Sequence, residues 1–446
     1  GAFLLAAAER LAGPVDEVVG RLVGCDVDPL AVATTESAIA LWSRGHRPDP
    51  DAIRVADFLD TAPFGAVRPD VIVGNPPFLG QLRRATGRDD DRRDRLRARW
   101  PGVGGYVDDA GAFLLAAAEL VADGGVVALL QPVSCLSARD TAPVRERLTG
   151  AAPPVAVWFA PERVFDAAVD TCALVCRVGA APSVVRRVVG VDADERPPAP
   201  LPPATSWAPL IADLVGTPVV EVDGPPLRSM ATVTAGFRDQ FYGLREAVVE
   251  DPDGGYRLMT SGLIDPLRSW WGTRACRYDR RRWDAPTVVI DRVADDVRPW
   301  VRDRLRPKLV VASQTRVIEA VADPDGVMVP CTPVVVVEPH DPADLWHLAA
   351  VLTSPVASAE IAAAMTGSAL SPDALRISAS RLGAVTLPPA GPAWDRAAAM
   401  AREVSEGGGS VADVGAAMVE AFGLVDESLL PWWFDRIPGG VGDHTG

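Results

Sequence analysis

The sequence is poor in the residues on which acid–base, thiol and metal chemistry usually rest. Four histidines are present, at 46, 340, 347 and 444, none beside a plausible partner, which argues against a Ser–His or Cys–His hydrolase. The six cysteines, at 25, 135, 172, 176, 276 and 331, include no C-x-x-C pair. They read as reduced thiols of a cytoplasmic protein, with no zinc cluster and no other metal site expected. No apolar run approaches the ~20 residues that span a bilayer, so no membrane partner is expected. The opening GAFLLAAAERLAG lacks a basic lead-in and is interrupted by Glu9 and Arg10, so it reads as an amphipathic helix and not as a signal peptide. Lysine is almost missing. Lys308 is the sole one, and arginine supplies the remaining positive charge of a chain whose net charge is −15.

That net charge, taken alone, argues against a nucleic-acid partner. Its distribution says more. Arginines gather at 83–99, at 274–282 (RACRYDRRR) and at 292–308. The simplest reading of one such cluster is a solvated face laced with Asp. The alternative is a phosphate-binding surface, since guanidinium forks match phosphate oxygens better than ammonium does.

A chain of 446 residues exceeds one hydrophobic core, and 48% apolar with 23% charged residues is the composition of an ordinary globular protein. Over 1–180, strand-like and helix-like runs alternate: helix 2–11, strand 21–28, helix 29–44, strands 53–59 and 70–74, helix 110–122, strand 124–132. Further strands follow near 155–160 and 171–179. Such alternation predicts an α/β fold with a parallel, doubly wound sheet. The Pro-, Ala- and Val-rich stretch 181–226 reads as a linker. Short β-rich runs with one clear helix make 227–390 a second domain of α+β character. Residues 391–446 read as a helical tail. The Trp pairs at 270–271 and 432–433 are expected to be core or interface anchors.

In an open α/β sheet, ligands bind beyond the carboxyl ends of the strands. Successive strand ends here carry Asp26, Asp57 and Asn75. Asp26 is placed to accept hydrogen bonds from ribose hydroxyls, and Asp57 to hold an adenine amine. Each is equally an Asp that caps a helix or ends a strand. The stretch PDVIVGNPPFLG (69–80) is harder to explain by packing. Val71–Val73 read as a strand buried on both faces, but nothing in packing requires Asn75-Pro76-Pro77-Phe78 after it. Consecutive prolines form a rigid ledge without N–H donors. The Asn75 side-chain oxygen and the Pro76 carbonyl could then both accept hydrogens from one exocyclic amine. This keeps the amine lone pair off the ring and leaves the nitrogen nucleophilic. Phe78 could stack on the base. Catalysis would rest on positioning and fixed dipoles, in keeping with the scarcity of histidine.

With these residues the sequence resembles the amino-methyltransferases that act on adenine N6 in DNA, whose signature is Asn/Asp/Ser-Pro-Pro-aromatic. GAFLL resembles the end of that family's first motif, GCDVDPLAV its acidic second motif, VADFLD its third and NPPF its fourth. RVFDAAVDTCALVCRVG resembles its late hairpin. The stretches VTAGFRDQFYGL, RPKLVVASQT and LAAVLTSPVASAEI are similar to target-recognition regions of single-chain enzymes of the type IIG restriction-modification and phage-defence kind.

The resemblance implies a Rossmann-like S-adenosylmethionine methyltransferase domain over 1–180 and a target-recognition domain over 227–390. Cofactor contacts would come from Gly1, Phe3, Asp26, Asp57 and Phe58. Asn75, Pro76, Pro77 and Phe78 would be catalytic, and Phe165 would pack against the flipped target base. The implied partner is double-stranded DNA, bound by a monomeric single-chain enzyme. The chain starts at the last glycine of the family's first motif, so the first strand of the sheet and most of the cofactor loop are expected to be missing. Two other readings remain. One is a protein-glutamine or RNA methyltransferase, disfavoured by the long Arg-bearing second domain. The other is a non-catalytic DNA-binding remnant or subunit. A nicotinamide dehydrogenase is weaker still, because no complete G-x-G-x-x-G is visible.

Overall fold

The computed structural model describes residues 1–59, 63–78, 88–103, 109–161, 170–236, 238–367 and 375–438. The chain divides into two compact units, Gly1–Ile211 and Ala212–Gly446.

The first unit is α/β. Strands β1 (Gly24–Asp26) and β2 (Ile53–Val55) pair in parallel. Helix α1 (Pro29–Trp42) connects them. Asp28 caps it by accepting the Leu30 amide at 2.9 Å, Pro29 opens it, and Val32, Thr35 and Ile39 form its buried stripe. A six-stranded sheet holds β3 (Val71–Gly74), β4 (Val126–Pro132), β5 (Pro154–Phe159), β6 (Thr171–Arg177), β7 (Val184–Val189) and β8 (Asp194–Pro200), in the order β3-β4-β6-β5-β7-β8.

The sheet is mixed and not wholly parallel as the alternation suggests. The pairs β3–β4 and β5–β7 are parallel, and the other three are antiparallel. Four residues separate β7 from β8, too few for the crossover that parallel neighbours need. Nor is β3 buried on both faces: Ile72 is buried, whereas Val71 is 57% exposed.

The supposed linker 181–226 is largely part of this unit. Strand β7 lies beside β5, and β8, with Pro197, Pro198 and Pro200, closes the sheet as an edge strand. Proline is tolerated there because an edge strand needs no donor on its outer side. Arg145, 1% exposed, then fastens the following turn. Its guanidinium donates to the carbonyls of Ala204 (2.7 Å) and Thr205 (2.8 Å) and to that of Cys135 (2.8 Å).

The second unit contains two four-stranded sheets. In one, Lys308–Ala312 lies between Ala320–Asp323 and Val334–Pro339, with Ala231–Ala235 outside the latter, all antiparallel. The other joins Val248–Glu250, Pro286–Val288, Tyr256–Met259 and Met328–Pro330. Every residue of Lys308–Ala312 is buried. Leu309 and Val311 pack into a core shared with the helices Leu345–Leu352 and Pro355–Met365, while Val310 and Ala312 pack with Leu258, Met259 and Trp283 on the other face. The helices at 392–434 are no separate tail. Trp394, Val404, Met418, Trp432 and Trp433 belong to the first of these cores.

No single helix among the described residues is long and apolar enough to cross a membrane. One bent pair, Pro342–Leu352 with Pro355–Met365, meets the criteria of length and composition, and its apolar residues fill the core just described.

Candidate active site

A cavity of about 590 Å³ runs along β1 and β3 and takes in the segments that follow β2 and β3. Because β1 and β2 run parallel, the acids that follow them emerge at one end of the pair. Both are aimed by short turns of their own loops. The Asp28 amide donates to Asp26 Oδ1 at 3.0 Å, and the Leu59 amide donates to Asp57 Oδ1 at 3.0 Å. The second oxygen of each carboxylate has no such backbone bond. The proximity of the two acids is also felt by Cys25 between them. Its thiol is pushed up to about 12, first by burial and then by the charges of Asp26 and Asp57, so it stays protonated and inert at neutral pH.

The cavity brings together Gly1, Phe3, Asp26, Asp57, Phe58, Asn75, Pro76 and Pro77. Asn75 is exposed, Pro76 is buried, and Phe78 is half-buried without being part of the cavity wall. Phe165 lies outside the described residues, as do residues 83–87 of the arginine-rich segment 83–99. Gly1 abuts the second turn of α1: a Cβ there would lie 3.0 Å from Thr35 Oγ1. A side chain there would be tightly packed, and Thr35 would have to shift by a few tenths of an ångström.

Two wall residues carry no sequence signal. Phe113 stacks flat on Phe58 at 5.2 Å and 4°, and Phe64 meets Phe58 edge-on at 5.9 Å. Phe58 is therefore held rigidly from two sides, as a flat apolar wall must be if it is to pack against a planar ligand.

The cavity also separates two strand edges. Among the described residues β1 pairs only with β2, and β3 pairs within its sheet only with β4. Residues of both, Gly24–Asp26 and Val71–Gly74, line the same space. No cluster of three or more His, Cys, Asp or Glu suited to a metal ion occurs among the described residues.

The site thus offers a largely apolar slot whose wall includes two carboxylates and an asparagine on a proline ledge. That donor set suits a nucleoside-bearing cofactor: acids for ribose hydroxyls and amines, aromatic walls for a purine.

No protein-family profile matches the chain, and no curated protein is similar to it. Solved structures are. The type IIL restriction-modification enzyme MmeI, solved in complex with DNA, overlays 94% of this chain with a TM-score of 0.52 at 12% identity. The type IIG restriction endonuclease BpuSI overlays 98% with a TM-score of 0.43 at 14% identity. A modification subunit of a putative type I restriction enzyme from Vibrio vulnificus YJ016 overlays 42%, at 19% identity and a TM-score of 0.34, and is itself covered over 40% of its length. The chain spans 62% of BpuSI and 64% of MmeI, less than two thirds of either. At such identity the likeness to MmeI is one of fold: a mixed α/β unit followed by a second unit.

Proposed function

We propose that the chain is the methyl-transferring and DNA-recognising part of a restriction-modification enzyme, and that it moves a methyl group from S-adenosylmethionine to the N6 amine of an adenine flipped out of double-stranded DNA. One observation carries the reading. Asp26, Asp57 and the Asn75-Pro76-Pro77 ledge, which follow three different strands, line one cavity. Chemistry on a stacked base requires its extrusion, because its amine is otherwise out of reach.

In this reading Gly1, Phe3, Asp26, Asp57 and Phe58 hold the cofactor, which supplies the methyl group. The free oxygens of Asp26 and Asp57 accept from its ribose and adenine, and the Phe58 ring packs against it. Asn75 Oδ1 and the Pro76 carbonyl accept the two hydrogens of the target amine. The nitrogen lone pair is thereby held out of the ring and aimed for attack. Pro76 and Pro77 keep the ledge stiff, and Phe78 and Phe165 support the base. No titrating base is required. The reaction's pH dependence is therefore shallow near neutrality.

Among the described residues no strand pairs with the outer edges of β1 and β3, which favours a second reading. In it the chain is a DNA-binding remnant or subunit whose cofactor pocket stays empty. Incubating the full-length protein with labelled S-adenosylmethionine and duplex DNA, then digesting to nucleosides, separates the readings. Label in N6-methyladenosine is expected. Label in cytosine or in protein glutamine contradicts the proposal, and calorimetry without cofactor binding supports the second reading.

A further inference from the structure

The strands Cys276–Tyr278 and Arg281–Trp283 form an antiparallel hairpin closed by two residues, Asp279 and Arg280. Both turn residues are left-handed, with φ of 46° and 63°. Such a turn normally takes Asn-Gly, Asp-Gly or Gly-Gly, so Arg280, where glycine is usual, is held at a cost in strain. The inward face is well anchored. Cys276, Tyr278 and Trp283 are buried in the core of the second unit. The Tyr278 hydroxyl donates to the Phe241 carbonyl at 2.7 Å, and Trp283 Nε1 donates to the Tyr278 carbonyl at 3.1 Å.

The outward face is all positive. Arg277 stands directly opposite Arg282 in the register, and both are exposed. Like charges across a strand pair destabilise a hairpin. Arg280 projects from the tip, and Arg281 lies over the Trp283 ring at 5.0 Å. The nearby acids do not neutralise this face. Asp279 is paired with Arg245 at 2.7 Å. Glu250 accepts the amides of Asp284 and Ala285. Asp284 comes no nearer to Arg282 than 3.9 Å, with both side chains 79% exposed, a contact of negligible worth. Arg277 and Arg280 form no ion pair among the described residues.

A strained turn and a repulsive cross-strand pair, set on a rigid base in a chain of net charge −15, are the features of a surface built to hold an anion. We infer that this hairpin grips the phosphate backbone of duplex DNA, with Arg277 and Arg282 taking phosphates between them and Arg280 reaching past the tip. The inference rests on the DNA-acting reading above. Guanidinium pairs match phosphate oxygens in bidentate fashion, and an interposed phosphate converts the Arg277–Arg282 repulsion into attraction. The stiff ribbon needs no ordering on binding.

The test is binding of the full-length protein to two labelled duplexes of unrelated sequence over a range of salt, with R277A/R282A, R282E and, as control, R402A. The R277A/R282A variant is expected to bind both duplexes roughly tenfold or more weakly at low salt, and its slope of log K against log salt is expected to fall by about 1.8, as for two lost phosphate contacts. Its melting temperature should stay level or rise, and that of R282E should rise, because the repulsion is gone. R402A should change neither. Unchanged affinity and slope overturn the inference while leaving DNA binding intact. So does weakened binding accompanied by a lowered melting temperature in both hairpin variants, or a loss confined to one sequence. A wild-type protein without salt-dependent DNA binding overturns the underlying reading itself.

Discussion

Asp26 and Asp57 follow neighbouring parallel strands, and each commits one carboxylate oxygen to the amide two residues further on, at 3.0 Å in both cases. The side chains are thus fixed in direction before any ligand arrives, with one oxygen left over for it. Replacing either by alanine removes a charged acceptor, a hydrogen bond of about 1.5–3 kcal/mol. We predict that Asp26→Ala and Asp57→Ala each weaken S-adenosylmethionine binding by roughly 10- to 100-fold, measured by calorimetry. Loss of stability without loss of affinity would make both acids structural.

The single lysine makes a different kind of prediction. Lys308 and Asp323 stand opposite one another across two strands, at 0% and 1% side-chain exposure, and the Lys308 ammonium donates to Asp323 Oδ2. The same carboxylate accepts the amides of Val327 and Met328, each at 2.9 Å. Burial lowers the lysine pKa, and the neighbouring Asp323 opposes that shift. Asp323→Ala removes the charge partner of a buried ammonium and leaves two amides unpaired, and should cost about 3–5 kcal/mol in urea unfolding. The double variant Lys308→Met, Asp323→Ala should recover part of that loss, because it no longer buries an uncompensated charge.

Glu319 predicts a pH dependence. Burial, helped by the charge of Asp265 and opposed by Arg274, pushes its carboxyl up from 4.5 to about 8. Between these values it is protonated in the folded state and ionised in the unfolded one. Its contribution to stability is therefore present at low pH and is lost as pH rises towards 8, at up to about 1.4 kcal/mol per pH unit. Glu319→Gln should gain stability relative to wild type progressively over that window and hold a constant difference above it. A difference independent of pH in urea titrations would contradict this.

How much of this was legible in the sequence follows from which signals are local. The strand ends at Asp26 and Asn75 are marked by short apolar runs and Gly or Pro punctuation, and the structure ends β1 at Asp26 and β3 at Gly74. The helix after Asp28 is announced by its cap and Pro29. Strand β8 is hidden, because its three prolines imitate a linker and only its place at the sheet edge makes them tolerable. The Asp279–Arg280 turn is hidden as well, since neither glycine nor asparagine marks it. Phe113 could not be assigned to the cavity from sequence, because its contact with Phe58 spans distant segments. Lys308 looks like one more surface cation until the register sets it against Asp323.

The most direct test of the central claim is methyl transfer by the full-length protein carrying Asn75→Ala, measured as labelled N6-methyladenosine formed in duplex DNA. Loss of one preorganised acceptor at the reacting amine should reduce turnover by about 100-fold or more, with cofactor affinity and melting temperature unchanged. Turnover equal to wild type would contradict the account.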